Sequence, residues 1–232
     1  KQIVDRENDP NDRMISSCKN FLEGKALYDK LGIPHKRGFY IHGGSGCGKT
    51  TVLYAVAESL IKNLDAIVIN TNNCSPDHII DGILNIRSVE PDRMIGILIE
   101  DIDKKVQIDG LDLYTVLFDG LYSFSNVVTF ATAVTPPDLV EKELTRSGRF
   151  DEYILVDLPT ENDITKYITK LYSQLPKSAV KNLPLNSILT PIICSKNLSY
   201  AALQEIMSLI LIYKMNPPTA INKFNEKRKI GF

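Results

Sequence analysis

The chain has 232 residues, a formal net charge of −1, 44% hydrophobic residues and 24% charged residues, enough for one large domain or a large and a small one. The near-neutral charge leaves no global basic field to favour nucleic acid. The longest strongly apolar stretch, Ile206 to Tyr213, is too short to span a bilayer, so no membrane segment is expected in this chain.

No signal-peptide pattern is visible at the N-terminus. The first residue is not Met, and the chain reads as a fragment. Cys18, Cys47, Cys74 and Cys194 are scattered, without zinc-ligand spacing, and a disulfide framework is not expected at this length. His35, His42 and His78 form no ligand pattern and read as incidental.

Residues 1–12 are polar and read as a flexible N-terminal segment. A helix is expected around Met14 to Leu31, then a buried strand over Gly38-Phe39-Tyr40-Ile41-His42. From Lys49 to Leu60, Val52, Leu53, Val56 and Leu60 fall on one helix face. Ala66 to Ile69 reads as a strand, and Ser75-Pro76-Asp77 as a helix start followed by Ile79, Ile80, Ile83 and Leu84 on one side. Met94 to Ile99 is a buried strand, Leu113 to Tyr122 a helix, and Val127 to Ala131 and Tyr153 to Val156 two more strands. Strands alternating with helices imply α/β architecture with a parallel sheet covered on both faces. After Pro159 the strands stop. Asp163 to Leu175 and Tyr200 to Lys214 read as helices, with Pro176, Pro184 and Pro191 punctuating the region between them. The expected layout is an α/β nucleotide-binding domain over 13–159, a small helical lid domain over 160–221 and a basic tail over 222–232 carrying Lys223, Lys227, Arg228 and Lys229.

Between the first strand and its helix stands Gly43-Gly44-Ser45-Gly46-Cys47-Gly48-Lys49-Thr50, the spacing G-x-x-x-x-G-K-[ST]. Glycines let successive backbone N–H groups point at one anion, and the helix N-terminus adds its dipole. Lys49 can reach the β- and γ-phosphates of a nucleoside triphosphate, and the Thr50 hydroxyl can bind Mg²⁺. The nucleotide-binding set is therefore Gly43, Gly44, Ser45, Gly46, Cys47, Gly48, Lys49, Thr50 and Thr51. Cys47 reads as a small residue that fits the loop rather than as a redox switch.

A second constellation is Ile97-Leu98-Ile99-Glu100-Asp101-Ile102-Asp103, an apolar strand ending in acids. Carboxylates at the tip of a buried strand need a cation or solvent, and a triphosphate-bound Mg²⁺ supplies one. The order Glu-Asp assigns Glu100, with Thr50, to the metal and Asp101 to the attacking water. Taken alone, the acids could instead serve the dipole of a helix N-terminus. A third cluster, Leu144-Thr145-Arg146-Ser147-Gly148-Arg149-Phe150-Asp151, puts two arginines three apart. Such arginines can stabilise phosphoryl-transfer charge, often from a neighbouring subunit, although surface ion pairs are the default for that spacing.

Together, Gly43 to Thr50, Ile97 to Asp103 and Leu144 to Asp151 resemble the AAA ATPases, the narrower branch of AAA+, over roughly residues 14–215. Pro137-Asp138-Leu139 followed by Arg146-x-x-Arg149-Phe150-Asp151 resembles the family's second region of homology. Within the family, Phe21-Leu22, Tyr28, Gly32 through Phe39 and the Glu100-Asp101-Ile102-Asp103 order are similar to the mitochondrial Rieske-protein translocase branch. The resemblance implies a phosphate-loop NTPase fold with a helical lid and an ATPase using ATP and Mg²⁺. It also implies a homo-oligomeric ring, usually a hexamer, acting on a macromolecular substrate, most simply a protein. On this analogy Lys49, Glu100 and Asp101 are catalytic in their own protomer, and Arg146 and Arg149 are fingers reaching the next one.

Several positions depart from the family pattern. Ala133 stands where a polar sensor is expected, with Thr132 or Thr135 as substitutes. Thr71-Asn72-Asn73-Cys74 runs into Ser75-Pro76 without the aromatic of peptide-threading relatives. Tyr200 of Ser199-Tyr200-Ala201-Ala202 replaces a glycine near the adenine. Two further readings stay open on these grounds: a nucleotide-gated assembly scaffold with weak hydrolysis, and a loader-type ATPase acting on DNA through a local basic patch at Lys223 to Lys229.

Overall fold

Five short apolar runs make the sheet. In a computed structural model, which describes residues 10–72, 74–121, 124–176 and 183–231, these are β1 (Lys36–His42), β2 (Ile67–Asn70), β3 (Ile95–Ile99), β4 (Val127–Ala133) and β5 (Glu152–Leu155). The order across the sheet is β2-β3-β4-β1-β5, and every pair is parallel. Ile99 pairs with Ala131, and His42 with Ala133. In a parallel sheet all strands end on one edge, so the residues after β1, β3 and β4 meet there. The parallel α/β class expected from the alternation is what the chain forms.

Alternation along each strand sorts the two faces. Ile95, Ile97 and Ile99 of β3 join Tyr40, Val127 and Ala131 in a core completed by Ile79 and Ile83 of α4 (Pro76–Val89) and by Tyr114, Leu117 and Phe118 of α6 (Leu111–Gly120). On the other face lies α3 (Lys49–Leu64), so close that a Cβ on Gly96 would stand 3.1 Å from Leu60 Cδ1. Phe39 and Phe130 stack between adjacent strands at 4.9 Å. Next to α3 runs α1 (Pro10–Glu23), which is tied to the sheet by Glu152: its carboxylate accepts from Ser17 Oγ at 2.5 Å and Arg37 Nη2 at 2.7 Å. Cys18 lies in this interior, where burial pushes its thiol up to about 12.

The helix expected over Met14 to Leu31 is two helices, α1 and α2 (Lys25–Leu31), broken at Gly24. The Gly24 carbonyl accepts from the Leu27 and Tyr28 amides and begins the second helix. Residues 10–12, expected within a flexible segment, already belong to α1, whose first position is Pro10, a favoured start. Residues 1–9 and Tyr122 lie outside the described residues. An unforeseen helix, α5 (Ile102–Asp109), follows the acids directly. His35, read as incidental, is structural: it is only 2% exposed, one ring nitrogen lies 2.6 Å from Asn126 Oδ1 and the other 2.8 Å from the Phe21 carbonyl, and the ring stacks on Phe21 at 3.9 Å.

Among the described residues the chain divides into two compact units: a sheet unit of residues 10–43 and 49–156, and a helical unit of residues 44–48 and 157–231. The helical unit contains α7 (Glu161–Ser173), α8 (Leu185–Cys194), α9 (Tyr200–Leu211) and α10 (Pro217–Gly231), packed around Ile168, Ile188, Ile192, Leu203, Ile206 and Ala220. A reciprocal cap of Thr160 and Asp163 starts α7. Helix α8 carries Pro191 inside it, where the sequence suggested a break. The expected basic tail is the body of α10. Asn216 Oδ1 accepts the Thr219 amide at 2.8 Å, and prolines occupy the first turn, so the start signal is Asn-Pro-Pro.

Gly38 of β1 exchanges hydrogen bonds with Asp151, 2.7 Å to its carboxylate and 2.8 Å from its amide, and a Cβ on Gly38 would overlap the Arg149 carbonyl. Gly38→Ala is therefore expected to destabilise the fold by about 2–3 kcal/mol, read as a lowered midpoint in chemical denaturation. A midpoint equal to wild type would refute this account of the crowding.

Candidate functional site

Glycines give the loop after β1 its path. Gly46 and Gly48 sit at φ 76° and 97°, where side chains are disfavoured, and Gly43 (φ 150°) lies so close to the Val156 carbonyl that a Cβ would overlap it. At the start of α3, Lys49 is only 8% exposed, and its ammonium donates to the Gly43 carbonyl at 2.8 Å. Thr50 and Thr51 occupy the first turn of the same helix, both half-buried. Burial pushes His42 below the usual imidazole range; the Asp138 carboxylate opposes this and the Lys49 ammonium adds to it.

The acids at the end of β3 come to this helix. Thr50 Oγ1 donates to Glu100 Oε2 at 2.9 Å, so residues fifty positions apart in sequence share one contact. The other carboxylate oxygen, Oε1, accepts from Tyr54 hydroxyl at 2.9 Å and Asn72 Nδ2 at 2.9 Å, and Asn70 Nδ2 donates to the Tyr54 hydroxyl at 3.0 Å. Tyr54 stands one turn after Thr50 on α3, and Asn70 ends β2. Helix α3 and the turn after β2 therefore hold Glu100 in place; Thr50 was marked by the sequence, Tyr54 and Asn72 were given no role by it. The i, i+4 spacing of Thr50 and Tyr54 was the available signal. A threonine hydroxyl beside a carboxylate is a pair of hard oxygen donors that fits Mg²⁺.

Asp101 adopts a left-handed conformation (φ 49°, ψ 51°) and caps α5, its carbonyl accepting from the Lys104 and Lys105 amides at 3.0 Å. Its side chain is 46% exposed and paired with Lys104 Nζ at 2.8 Å, an exposed ion pair worth about 0–1 kcal/mol that a ligand can displace. The Asp101 amide donates to the buried Thr132 hydroxyl at 3.0 Å. Asp103, which the sequence reading gave no role, receives the Val134 amide at 2.9 Å and the Thr135 amide and hydroxyl at 2.9 and 2.8 Å. Burial opposes its ionisation, but these donors win and hold its carboxyl below the usual range. Ala133 is fully buried. The two threonines considered as substitutes are thus bound to the acidic turn: Thr132 through Asp101, Thr135 through Asp103.

The arginines separate. Arg149 is internal, with a side chain 4% exposed: Nη2 pairs with Asp119 at 3.1 Å, and Nη1 reaches Thr115 Oγ1 at 3.4 Å and the Glu143 carbonyl. Phe150 packs edge-on against Tyr40 and Phe118. Arg146 is exposed. Both were expected to reach a neighbouring protomer, but the structure brings only Arg146 to the surface, and Arg149 would have to leave three contacts within its own protomer to reach another.

The helical unit holds the middle of the phosphate loop. The Ala201 amide donates to the Gly46 carbonyl at 3.2 Å, and a Cβ on Gly46 would stand 2.8 Å from Ser199 Oγ. Within this unit a cleft of about 690 Å³ is walled by Gly44, Ser45, Gly46 and Cys47 on the loop side. Tyr200, expected near a base, turns into the unit's own core against Tyr167 at 5.6 Å. Asn73 of the expected loop after β2 lies outside the described residues.

Residues 39–158, more than half of the chain, match the family described as ATPase family associated with various cellular activities (AAA). The chain belongs to the AAA ATPase family. It is 28% identical over 235 residues to the probable mitochondrial chaperone bcs1 of Schizosaccharomyces pombe, covering 95% of this chain and 48% of that protein. To the human mitochondrial chaperone BCS1 it is 24% identical over 234 residues, covering 94% and 53%. The chain spans about half the length of the curated relatives it matches. A structure of PCH-2 from C. elegans superposes with a TM-score of 0.71 at 16% identity, covering 98% of this chain and 70% of that one, a likeness of fold. The branch resemblance read from Phe21-Leu22 through Phe39 falls on the same chaperones.

In this AAA ATPase Thr50 and Glu100 meet within the sheet unit, residues 44–48 of the phosphate loop belong to the helical unit, and the two arginines stand in different surroundings, Arg149 buried and Arg146 exposed. Arg149→Ala is expected to lower the stability of the isolated chain by about 2–3 kcal/mol, because a buried side chain and its three contacts are removed. Arg146→Ala, at the surface, should shift it by less than about 0.5 kcal/mol. Equal unfolding midpoints for the two variants would contradict this division.

Proposed function

We propose that this chain binds ATP with Mg²⁺ and hydrolyses it as one subunit of a homo-oligomeric ring, a hexamer by family analogy, that remodels or moves a macromolecular partner. The observation that supports this best is the 2.9 Å contact between Thr50 and Glu100, which joins the phosphate-loop helix to the acidic strand end. The loop amides and Lys49 bind the phosphates, and Thr50 and Glu100 hold the metal. Mg²⁺ supplies charge neutralisation on the transferring phosphoryl group. Asp101 positions the attacking water once its carboxylate leaves Lys104. Arg146 is the finger offered to the neighbouring site, and Arg149 braces the segment that carries it. A protein is the favoured partner: the relatives are named chaperones, and the chain's net charge of −1 gives no pull towards nucleic acid.

A second reading, a nucleotide-gated scaffold with weak hydrolysis, draws on Ala133, apolar and buried at the strand tip, and on the Asp101–Lys104 pair. Turnover decides between them. The ATPase rate per subunit should rise as the protein is concentrated and assembles, and Lys49→Ala should weaken ATP binding at least about tenfold through loss of a charge-assisted phosphate contact. Arg146→Ala should cut turnover about a thousandfold, the scale of an arginine finger, and mixing it with Asp101→Asn subunits should restore part of the rate. Full turnover by assembled Arg146→Ala protein would sink the finger role, and a rate independent of concentration would sink its dependence on a neighbour.

A further inference from the structure

Tyr54 has no part in the binding scheme above, yet its phenol is bonded to the acid assigned to the metal. The helix that carries it is anchored, with Val52, Leu53, Ala55, Val56 and Ala57 of α3 buried. Thr50 and Tyr54 lie one turn apart on one face of that helix. They grip different oxygens of one carboxylate: Thr50 Oγ1 donates to Glu100 Oε2 and the Tyr54 hydroxyl to Oε1, both at 2.9 Å. A single donor would fix where a carboxylate sits and leave its terminal torsion soft. Two donors on one rigid element fix the plane of the carboxylate as well.

The direction of the Tyr54 bond is set by its neighbours. The Asn72 amide donates to Asn70 Oδ1 at 3.0 Å, which turns Asn70 Nδ2 to the phenol oxygen, 3.0 Å away. A phenol has one proton. With its oxygen accepting from Asn70, that proton goes to Glu100. Asn72 Nδ2 reaches the same Oε1 at 2.9 Å and closes a ring of four residues, in which each bond polarises the next. Asn70 and Asn72 are exposed, whereas Tyr54 is half-buried on its helix and is the fixed member of the ring. Two donors hold Oε1, so Oε2 is the oxygen turned to Thr50. The threonine gives its proton to Oε2 and keeps its lone pairs for a cation. Thr50, Tyr54, Asn70, Asn72 and Glu100 all belong to the sheet unit.

We propose that Tyr54 is a positioning residue for the divalent cation: it locks Glu100 so that Oε2 and the Thr50 hydroxyl are presented together as a pair of ligands. This rests on the reading of an ATP and Mg²⁺ site above and adds to it a group that sets how tightly the metal is held. Tyr54 acts through Glu100 and not by touching the metal or the nucleotide. Its contribution is preorganisation, because the carboxylate is oriented before the ion arrives. Groups that orient a metal's ligands in this way are worth about ten- to a hundredfold in metal affinity. A phenylalanine at this position keeps the aromatic ring and leaves Glu100 free to turn about its last torsion.

The test is titration of the full chain with a fluorescent ATP derivative in excess Mg²⁺ and in EDTA. The ratio of the two affinities measures what the metal contributes. Tyr54→Phe should reduce that ratio about tenfold while leaving the affinity in EDTA within about twofold of wild type. The melting temperature of the nucleotide-free variant should fall by less than about 4 °C, the scale of one lost hydrogen bond. Asn70→Ala, at an exposed strand end, should reduce the ratio about threefold, because the phenol keeps its proton for Glu100. In a Glu100→Ala background Tyr54→Phe should have no further effect. A ratio for Tyr54→Phe within about twofold of wild type overturns the proposal. So does an equal loss of affinity with and without Mg²⁺, which is what a tyrosine that only supports the fold would give. A further loss in the Glu100→Ala background overturns the route through Glu100. Wild-type protein that binds ATP equally well in both conditions would instead overturn the metal pair of Thr50 and Glu100, and wild-type protein that binds ATP in neither would overturn the nucleotide reading itself.

Discussion

Everything at the sheet edge depends on one interaction, the hydrogen bond from Thr50 to Glu100. It exists because β3 and β1 are parallel and separated only by β4, so their ends lie within one side chain's reach. Neither residue is placed by its own surroundings alone. Thr50 is carried by a helix that cannot start until the glycines have turned the chain, and Glu100 is gripped by Tyr54 and Asn72. Burying a carboxylate at a strand tip is costly without donors. Here three neutral donors, Thr50, Tyr54 and Asn72, help to hold it in position.

The acidic turn is built on the same logic one layer out. Asp103 collects three donors from the segment after β4, and Asp101 takes Thr132 as a backbone partner. The ends of β3 and β4 are therefore joined by hydrogen bonds in addition to the core that Ile99, Ile102, Ala131 and Ala133 share. A polar sensor at the strand tip would ordinarily link those strands to the nucleotide. Ala133 cannot do so, and the two threonines considered in its place are already engaged with the acids.

Much of this was legible in the chain because its signals are local. A glycine-rich loop between an apolar strand and an amphipathic helix has a mechanical meaning that survives any tertiary context, and strand ends rich in acid are too costly to be accidental. What escaped were features decided by packing. Arg146 and Arg149 look equivalent by spacing, yet Arg149 is drawn inward by Asp119 and the Glu143 carbonyl, partners remote from or unmarked in the motif. Tyr200 was expected to meet a ligand and instead fills a core beside Tyr167. Gly24 broke a helix that periodicity carried through, in line with its low helix propensity, whereas Pro191 stands inside a helix against its own. His35 had no signal at all: a buried imidazole with two oxygen neighbours is recognisable only once Phe21 and Asn126 are seen together.

The order Glu100-Asp101 acquires a conformational explanation from the backbone. The residue after Glu100 must fold back on itself, at φ 49° and ψ 51°, for α5 to start where it does. Short side chains such as aspartate and asparagine enter that region more readily than glutamate, because their oxygen can bond locally and they crowd the following carbonyl less. Exchanging the two acids would put the longer side chain at the second position, in a geometry that resists it. The order of the two acids and the entry angle of the following helix are therefore one mechanical choice in this chain.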